Sequence, residues 1–248
     1  MPMLSAAAWT PTKYVIRDDR LRAAADPRIV SIGSRLMVDA IAARYTAAIP
    51  LHCRGDVLDL GCGRAPLYGL YRHFAGTITC VDWADSEHDV RHADVLCDLN
   101  EPIPFPDASF DTIIFSDVME HLYRPQQALE EIRRVLRPEG TLLMNLPFMY
   151  PIHEQPHDYY RYTRFALERM LGDASLEAVA LESIGGAPEV LVDLVSKLFL
   201  RMRIAGPSLA GSAQAVAGWW VRTKPGRWMS TSTAAQFPFG YFLIARPR

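Results

Sequence analysis

The sequence predicts a single α/β domain in which seven short strands form a mostly parallel sheet. Short β-rich runs alternate with helical segments along most of the chain, which is typical of a parallel sheet. The 248 residues are 50% hydrophobic and 22% charged, enough to bury one large core. The same composition is too apolar for a disordered protein, and no stretch reaches the ~18 apolar residues of a membrane span.

The first half of the chain contains two predicted helices and four predicted strands. Residues 28–48 read as an amphipathic helix, with Ile32, Leu36 and Ile41 on one face. A proline in the first turn predicts a short helix over residues 66–74. The strands are predicted at residues 56–60, 77–82, 93–97 and 110–115.

The second half repeats the alternation and then departs from it. The clearest helix spans residues 125–136, and Thr163 predicts the cap of another helix over residues 163–171. Three more strands are predicted at residues 141–146, 176–184 and 239–245. Between the last two strands, apolar helical stretches near 188–204 and 209–222 predict a helical insertion.

The strongest motif is the string VLDLGCG at residues 57–63, a buried strand that enters a glycine turn. Such a turn lets a ligand approach the backbone closely. The dinucleotide fingerprint needs a third glycine where this chain has Pro66, so binding of NAD is disfavoured. Asp59 would repel a pyrophosphate and suits a ligand with a cationic amino-acid end.

With this string the sequence resembles the class I S-adenosylmethionine-dependent methyltransferases, and most resembles their broad type 11 group. The resemblance covers roughly residues 30–172 and returns in the last strand. It implies a Rossmann-like sheet with helices on both faces, an antiparallel last strand and S-adenosylmethionine as the cofactor. It places Asp82 on the ribose hydroxyls, Asp98 and Leu99 beside the adenine, and Ser116 and Asp117 in a loop that faces the cofactor. The cofactor-binding residues that it implies are Asp59, Gly61, Cys62, Gly63, Asp82, Trp83, Asp98, Leu99, Ser116 and Asp117.

Four segments make up the predicted domain. An N-terminal cap and helix occupy residues 1–50, and the cofactor-binding core occupies residues 51–186. The helical insertion is expected at residues 187–236, and the final strand at residues 237–248.

Three histidines, His121, His153 and His157, are the candidate catalytic residues. Histidine titrates near neutral pH, and a base beside an acceptor hydroxyl can contribute ~10²–10⁴-fold in rate. The polar and aromatic run at residues 153–162 follows the fifth predicted strand, at the edge of the sheet where substrates bind. A similar run occurs in bacterial methyltransferases that accompany surface-polysaccharide and glycolipid genes, which implies O-methylation of a sugar or a lipid-linked intermediate.

Two motifs in this region suggest a metal ion. The string DVMEH at residues 117–121 resembles the ExxEH cluster in which some O-methyltransferases hold a divalent cation through residues such as Asp117, Glu120 and His121. His153 or His157 could complete that cluster, but the letters EHL at residues 120–122 are also common in relatives that need no metal, so a cation is not favoured. The string HEQPH at residues 153–157 matches the zinc-protease pattern HExxH, but Pro156 opposes the helix that this pattern needs.

Cysteine usage and charge indicate the surroundings of the protein. The four cysteines fit no zinc spacing and predict reduced thiols in the cytoplasm. After Asp193 the chain has eight basic residues and no acidic one, next to Trp219-Trp220. The insertion is therefore either a lid or homodimer face, or a peripheral contact with the inner face of a membrane. A nucleic-acid partner is not expected.

The expected function is methyl transfer from S-adenosylmethionine to a small-molecule or glycan acceptor. Two alternatives remain open. One is a partner subunit that binds S-adenosylmethionine without catalysis, and the other is a nucleotide-dependent oxidoreductase on the same scaffold.

Overall fold

The computed structural model of the chain describes residues 9–86 and 89–248, so the first eight residues of the predicted N-terminal cap lie outside it. The described chain begins with an antiparallel hairpin of β1 (Tyr14–Arg17) and β2 (Arg20–Ala23). Sequence analysis missed this hairpin. A short 3₁₀ turn at Ile32–Ser34 follows and leads into α1 (Arg35–His52), so the predicted helix at 28–48 begins later than expected.

Seven strands form the central sheet, as predicted. They are β3 (Gly55–Leu60), β4 (Ala75–Asp82), β5 (Val95–Leu96), β6 (Phe110–Ser116), β7 (Leu136–Pro147), β8 (Leu176–Ile184) and β9 (Gly240–Pro247). Their order across the sheet is β5-β4-β3-β6-β7-β9-β8. Pairing is parallel from β5 to β7, and β9 lies antiparallel between β7 and β8. The direction of winding changes between β3 and β6, where open α/β sheets bind their ligands.

Besides α1, three helices accompany the sheet in the described part of the chain, and three form the insertion. The first set is α2 (Tyr68–Tyr71), α3 (Pro125–Val135) and α4 (Arg164–Asp173), and the second is α5 (Ala187–Phe199), α6 (Gly206–Trp220) and α7 (Lys224–Thr233). Helix α2 is shorter than the predicted 66–74. Helix α7 was not predicted, because its sequence KPGRWMSTST has no apolar period. Thr163 caps α4 as expected, since its hydroxyl accepts a hydrogen bond from the Ala166 amide at 3.2 Å.

Successive residues of each strand point to opposite faces of the sheet, which gives the domain two cores. Val57 of β3 packs with Tyr45 of α1 and Tyr71 of α2 on one face. Leu58 packs with Ile132 of α3 on the other face. The sheet is therefore covered by helices on both sides, as the predicted Rossmann-like architecture requires.

The insertion rests on the start of α1. The Gln214 side chain of α6 accepts from the Leu36 amide at 2.9 Å and donates to the Gly33 carbonyl at 2.6 Å. Among the helices of the described part of the chain, none combines the length and apolarity that crossing a membrane requires. The four cysteines are free, and Cys53, Cys62 and Cys80 are buried.

Candidate active site

The glycine turn follows β3 at the carboxyl edge of the sheet. Gly61 has φ = +68°, a left-handed conformation that favours glycine. A Cβ on Gly61 would lie 2.4 Å from Cγ2 of Val118, in the loop after β6. Glycine is therefore required here because two loops of the protein itself approach closely.

Asp82, the last residue of β4, holds this turn in place. Its Oδ2 accepts a hydrogen bond from the Gly63 amide, and its Oδ1 accepts one from the Trp83 amide at 2.7 Å. The side chain is buried, yet it faces a cavity. Each carboxylate oxygen retains a second lone pair, so Asp82 can still accept hydrogen bonds from a ligand.

A smaller cavity of about 210 Å³ opens beside Asp82 at the carboxyl edge of the sheet. His121, His157 and Glu154 contribute to its wall. The predicted cofactor-binding residues that line it are Gly61, Asp82, Trp83, Asp98, Leu99 and Asp117. The structure thus brings together residues at or just after the ends of five strands, β3 to β7.

A larger cavity of about 570 Å³ lies between the N-terminal segment, α1 and the same edge of the sheet. Cys62, Gly63 and Ser116 line this cavity and not the smaller one. The two cavities share Gly61, Asp117 and Glu154 in their walls. The apolar wall of the larger cavity includes Ile29, Val30, Met37, Val38, Ile41 and Phe239.

Asp59 is the one predicted cofactor residue that lines neither cavity. It is buried beneath the turn, where the Tyr71 hydroxyl donates a hydrogen bond to its Oδ2 at 2.7 Å. Burial raises the pKa of the Asp59 carboxyl to about 7, against the opposing effect of the Tyr71 hydrogen bond. The structure therefore gives Asp59 a partner inside the protein.

Asp117, with φ = +54°, is the centre of a polar network between the cavities. Lys13 forms an ion pair with its Oδ2 at 2.7 Å, and the Asn145 amide donates to its Oδ1. The Asn145 oxygen in turn accepts from the hydroxyls of Tyr45 and Ser116 at 2.7 and 2.6 Å. Sequence analysis missed Lys13 and Asn145. The available signal for Asn145 was its position as a polar residue within an apolar strand.

The three candidate histidines lie around the junction of the cavities. His153 lines the larger cavity, and its ring centroid lies 4.8 Å from that of His121. The His157 ring packs edge-on against Trp83 at 5.2 Å, and its Nδ1 lies 3.1 Å from the Tyr159 hydroxyl. Residues 153–157 form turns and no helix, which confirms that HEQPH lacks the geometry of a zinc-protease motif.

Glu120 is an acid that the cofactor assignment does not use. It is fully buried, and burial raises the pKa of its carboxyl well above the usual range, with the charge of Asp117 adding to the effect. Its ligand atom and those of His121 and His153 lie within 4.8 Å of one another. Asp117, which sequence analysis placed in a cation cluster, is instead engaged by Lys13 and Asn145.

Comparison with known proteins places a family model on the core of the chain. The model "Methyltransferase domain" matches residues 58–144, from β3 into β7. A probable S-adenosylmethionine-dependent methyltransferase of Mycolicibacterium smegmatis is 32% identical over 106 residues, which is 38% of this chain and 39% of that protein. A malonyl-[acyl-carrier protein] O-methyltransferase of Herminiimonas arsenicoxydans is 30% identical over 164 residues, 61% of each chain. The chain thus spans about two fifths to three fifths of the length of these curated relatives.

Solved structures share the fold at low sequence identity. The [4+2]-cyclase SpnF has a TM-score of 0.56 at 20% identity, covering 96% of this chain and 86% of its own. An S-adenosylmethionine-dependent methyltransferase from Archaeoglobus fulgidus has a TM-score of 0.54 at 17% identity, covering 82% and 91%. These two likenesses establish the architecture, and the family model establishes the domain that carries the glycine turn. Residues 58–144 thus match a methyltransferase domain, and the chain is similar to class I S-adenosylmethionine-dependent methyltransferases.

Proposed function

We propose that the chain binds S-adenosylmethionine along the smaller cavity and transfers its methyl group to a small-molecule acceptor in the larger one. The observation that carries this proposal is the shared wall of the two cavities at Gly61, Asp117 and Glu154. A donor and an acceptor in adjoining cavities could react across that wall. Curated relatives described as methyltransferases support the same reaction class.

The residues around the smaller cavity suit the proposed cofactor. Asp82 offers acceptor lone pairs for ribose hydroxyls, and Asp98 and Leu99 offer a polar and an apolar contact for the base. Cys62 and Gly63 continue the turn toward the larger cavity. When bound, S-adenosylmethionine supplies a methyl group already activated by its sulphonium. The chain then mainly orients the two reactants, an effect that can contribute ~7–11 kcal/mol.

The larger cavity suits an acceptor that combines apolar and polar parts. Ile29, Val38 and Phe239 supply apolar wall, and the ion pair of Lys13 with Asp117 supplies a polar part of it. We propose an acceptor with an apolar portion and a hydroxyl, such as a lipid-linked sugar. His121, His153 and His157 remain the proposed groups that act on that hydroxyl.

We further propose that the insertion contacts an anionic membrane surface. A row of apolar side chains on and just after α5 is at least 40% exposed and faces away from the domain: Leu191, Leu194, Val195, Leu198 and Met202. Exposed basic side chains accompany them, namely Arg201, Arg203, Arg222, Lys224 and Arg227. Apolar side chains beside lysine and arginine fit the headgroup boundary of a bilayer. A homodimer through the same row is the alternative partner.

Calorimetry and a turnover assay together test the reaction. We expect binding of S-adenosylmethionine at one site per chain and no comparable binding of NAD. Incubation with a pool of lipid and sugar acceptors should then release S-adenosylhomocysteine. Binding without turnover would favour the non-catalytic partner subunit, and preferential binding of NAD would favour the oxidoreductase and refute the proposal.

A further inference from the structure

We propose that Glu120, His121 and His153 form a binding site for a divalent transition-metal ion at the junction of the two cavities. Glu120 and His153 line the larger cavity, His121 lines the smaller one, and Glu154 lines both. An ion held by these residues would face the space where donor and acceptor meet.

The first support is a set of buried polar atoms that lack partners and face one another. Within the described residues, neither carboxylate oxygen of Glu120 has a hydrogen-bond partner, nor does Nε2 of His121. Glu120 is fully buried, and its Oε1 lies 3.7 Å from that Nε2. Leaving a buried polar group unsatisfied destabilises the folded state, and more so when the group is charged. Protonation of Glu120 would not remove this cost, because both oxygens would still lack partners.

The second support is the spacing and chemical type of the three groups. Two ligands bound to one zinc ion at ~2.1 Å in tetrahedral geometry are ~3.4 Å apart. The separation of 3.7 Å between Glu120 and His121 is close to this value, and the widest separation in the group is within 4.8 Å. Side-chain movements of about 1 Å would therefore close the site. Two imidazoles and one carboxylate favour zinc and similar ions over Mg²⁺ and Ca²⁺, which prefer oxygen ligands.

The third support is that the His121 imidazole is already oriented through its other nitrogen. Nδ1 of His121 bonds to the His157 carbonyl oxygen at 2.7 Å, which leaves Nε2 for a ligand. Nδ1 of His153 lies 3.3 Å from the Pro151 carbonyl oxygen and from the Asp158 carboxylate, and 3.5 Å from the Arg161 guanidinium. Such hydrogen bonds to a carbonyl or carboxylate are typical of metal-binding histidines.

Neighbouring contacts hold the two supporting segments together. Arg161 forms an ion pair with Asp158 at 2.5 Å, and Asp158 also accepts from the His153 amide at 2.9 Å. The Tyr159 amide donates to the Glu120 carbonyl oxygen at 2.9 Å. The segment at 153–161 is thus fastened to the turn that contains Glu120, and the three groups are brought together before any ion binds.

The role of the ion, unlike the site, rests on the proposed function. A bound ion would lower the pKa of an acceptor hydroxyl that coordinates it. The hydroxyl would release its proton to water, and its oxygen would form the new bond to the methyl carbon. The electrons of the broken carbon–sulfur bond would return to sulfur. His121 and His153 would then act as ligands, and His157 would not coordinate the ion.

Metal titration of the full chain tests the site without any activity measurement. After removal of metal with a chelator, calorimetry with Zn²⁺ should show one ion bound per chain. The variants Glu120→Gln, His121→Asn and His153→Asn should each weaken Zn²⁺ binding at least ~10-fold, whereas His73→Asn, an exposed histidine outside the cluster, should not. Co²⁺ should give visible absorption bands in the wild type that the three variants lose.

Thermal denaturation separates loss of the site from loss of folding. Without metal, Glu120→Gln should be at least as stable as the wild type, because it removes a buried ionisable group. With Zn²⁺ the melting temperature of the wild type should rise and that of Glu120→Gln should stay unchanged. Equal Zn²⁺ affinity in the wild type and the three variants would overturn the proposal, as would no binding by the wild type. Titration of S-adenosylmethionine into the same metal-free sample reports separately on the proposed function.

Discussion

Replacing Asp82 with alanine tests how the end of β4 serves the candidate cofactor cavity. The carboxylate accepts hydrogen bonds from the amides of Gly63 and Trp83 while it lines the smaller cavity. Asp82→Ala removes both acceptors, so the glycine turn loses its tie to β4 and the ligand loses an anionic partner. We expect weaker binding of S-adenosylmethionine together with a lower melting temperature.

The size of the effect follows from the charge on the acceptor. A hydrogen bond to a charged group contributes about 1.5–3 kcal/mol, roughly twice the value of a neutral one. Loss of one such contact to the ligand corresponds to about 10–150-fold weaker binding at 1.4 kcal/mol per tenfold. Isothermal titration calorimetry with S-adenosylmethionine measures this directly.

Asp111 provides a matched control at the opposite edge of the sheet. It accepts from the Asp56 amide at 2.8 Å and pairs with Arg137, so Asp111→Ala also removes an anionic acceptor of a backbone amide. It lines neither cavity. We expect this control to lose stability and keep its affinity for S-adenosylmethionine. Unchanged affinity in a folded Asp82→Ala variant, or an equal loss in the control, would refute the reasoning.

Three further predictions follow from other contacts. Gly61→Ala should lower both the melting temperature and the affinity for S-adenosylmethionine, because its Cβ would lie 2.4 Å from the Val118 side chain. Adding Val118→Ala to the same chain should restore part of both losses. A Gly61→Ala variant with the melting temperature of the wild type would contradict this. Asp59 has a raised pKa of about 7, so the folded state binds more protons than the unfolded state and wild-type stability should fall as pH rises from about 4 to 7. The free energy of unfolding of Asp59→Asn should therefore rise relative to that of the wild type between pH 4 and pH 8, by at most ~4 kcal/mol in chemical denaturation. A difference that does not change with pH would contradict the raised pKa of Asp59. Liposome flotation at low salt should show binding of the wild type to anionic vesicles, and weaker binding after Arg222, Lys224 and Arg227 are all changed to glutamine. Identical flotation of the two proteins would exclude a contribution from these basic residues.

Local patterns in the sequence predicted the strands well where one pattern acted alone. The strand at 176–184 was predicted at its observed bounds because its alternation has no competing signal. By contrast, β7 begins at Leu136, directly after α3, although the strand was predicted to begin only at residue 141. The hairpin at residues 14–23 was not predicted, because its charged residues interrupt the apolar pattern by which a strand is recognised.

The candidate site was predictable only where its residues share a local string. The turn at 61–63 and Asp82 could be predicted to lie at the edge of the sheet, because each stands at the end of a recognisable strand. The ion pair between Lys13 and Asp117 joins residues far apart in sequence, and no periodicity announces it. The partner of Asp59 is Tyr71, which lies on a helix of only four residues. The sequence of the strand alone therefore did not show that this acid has a partner inside the protein.

The N-terminal segment is placed to affect the rates at which a ligand enters and leaves the larger cavity. Trp9 donates to the Ala65 carbonyl oxygen at 3.0 Å and packs on Tyr68, while Lys13 reaches Asp117. Thr12 and Lys13 also line the larger cavity. Because these few side chains tie the segment down beside the cavity, we expect its release to be quicker than opening of the sheet. The residence time of a ligand in the larger cavity would then depend on how often Trp9 and Lys13 detach from their partners.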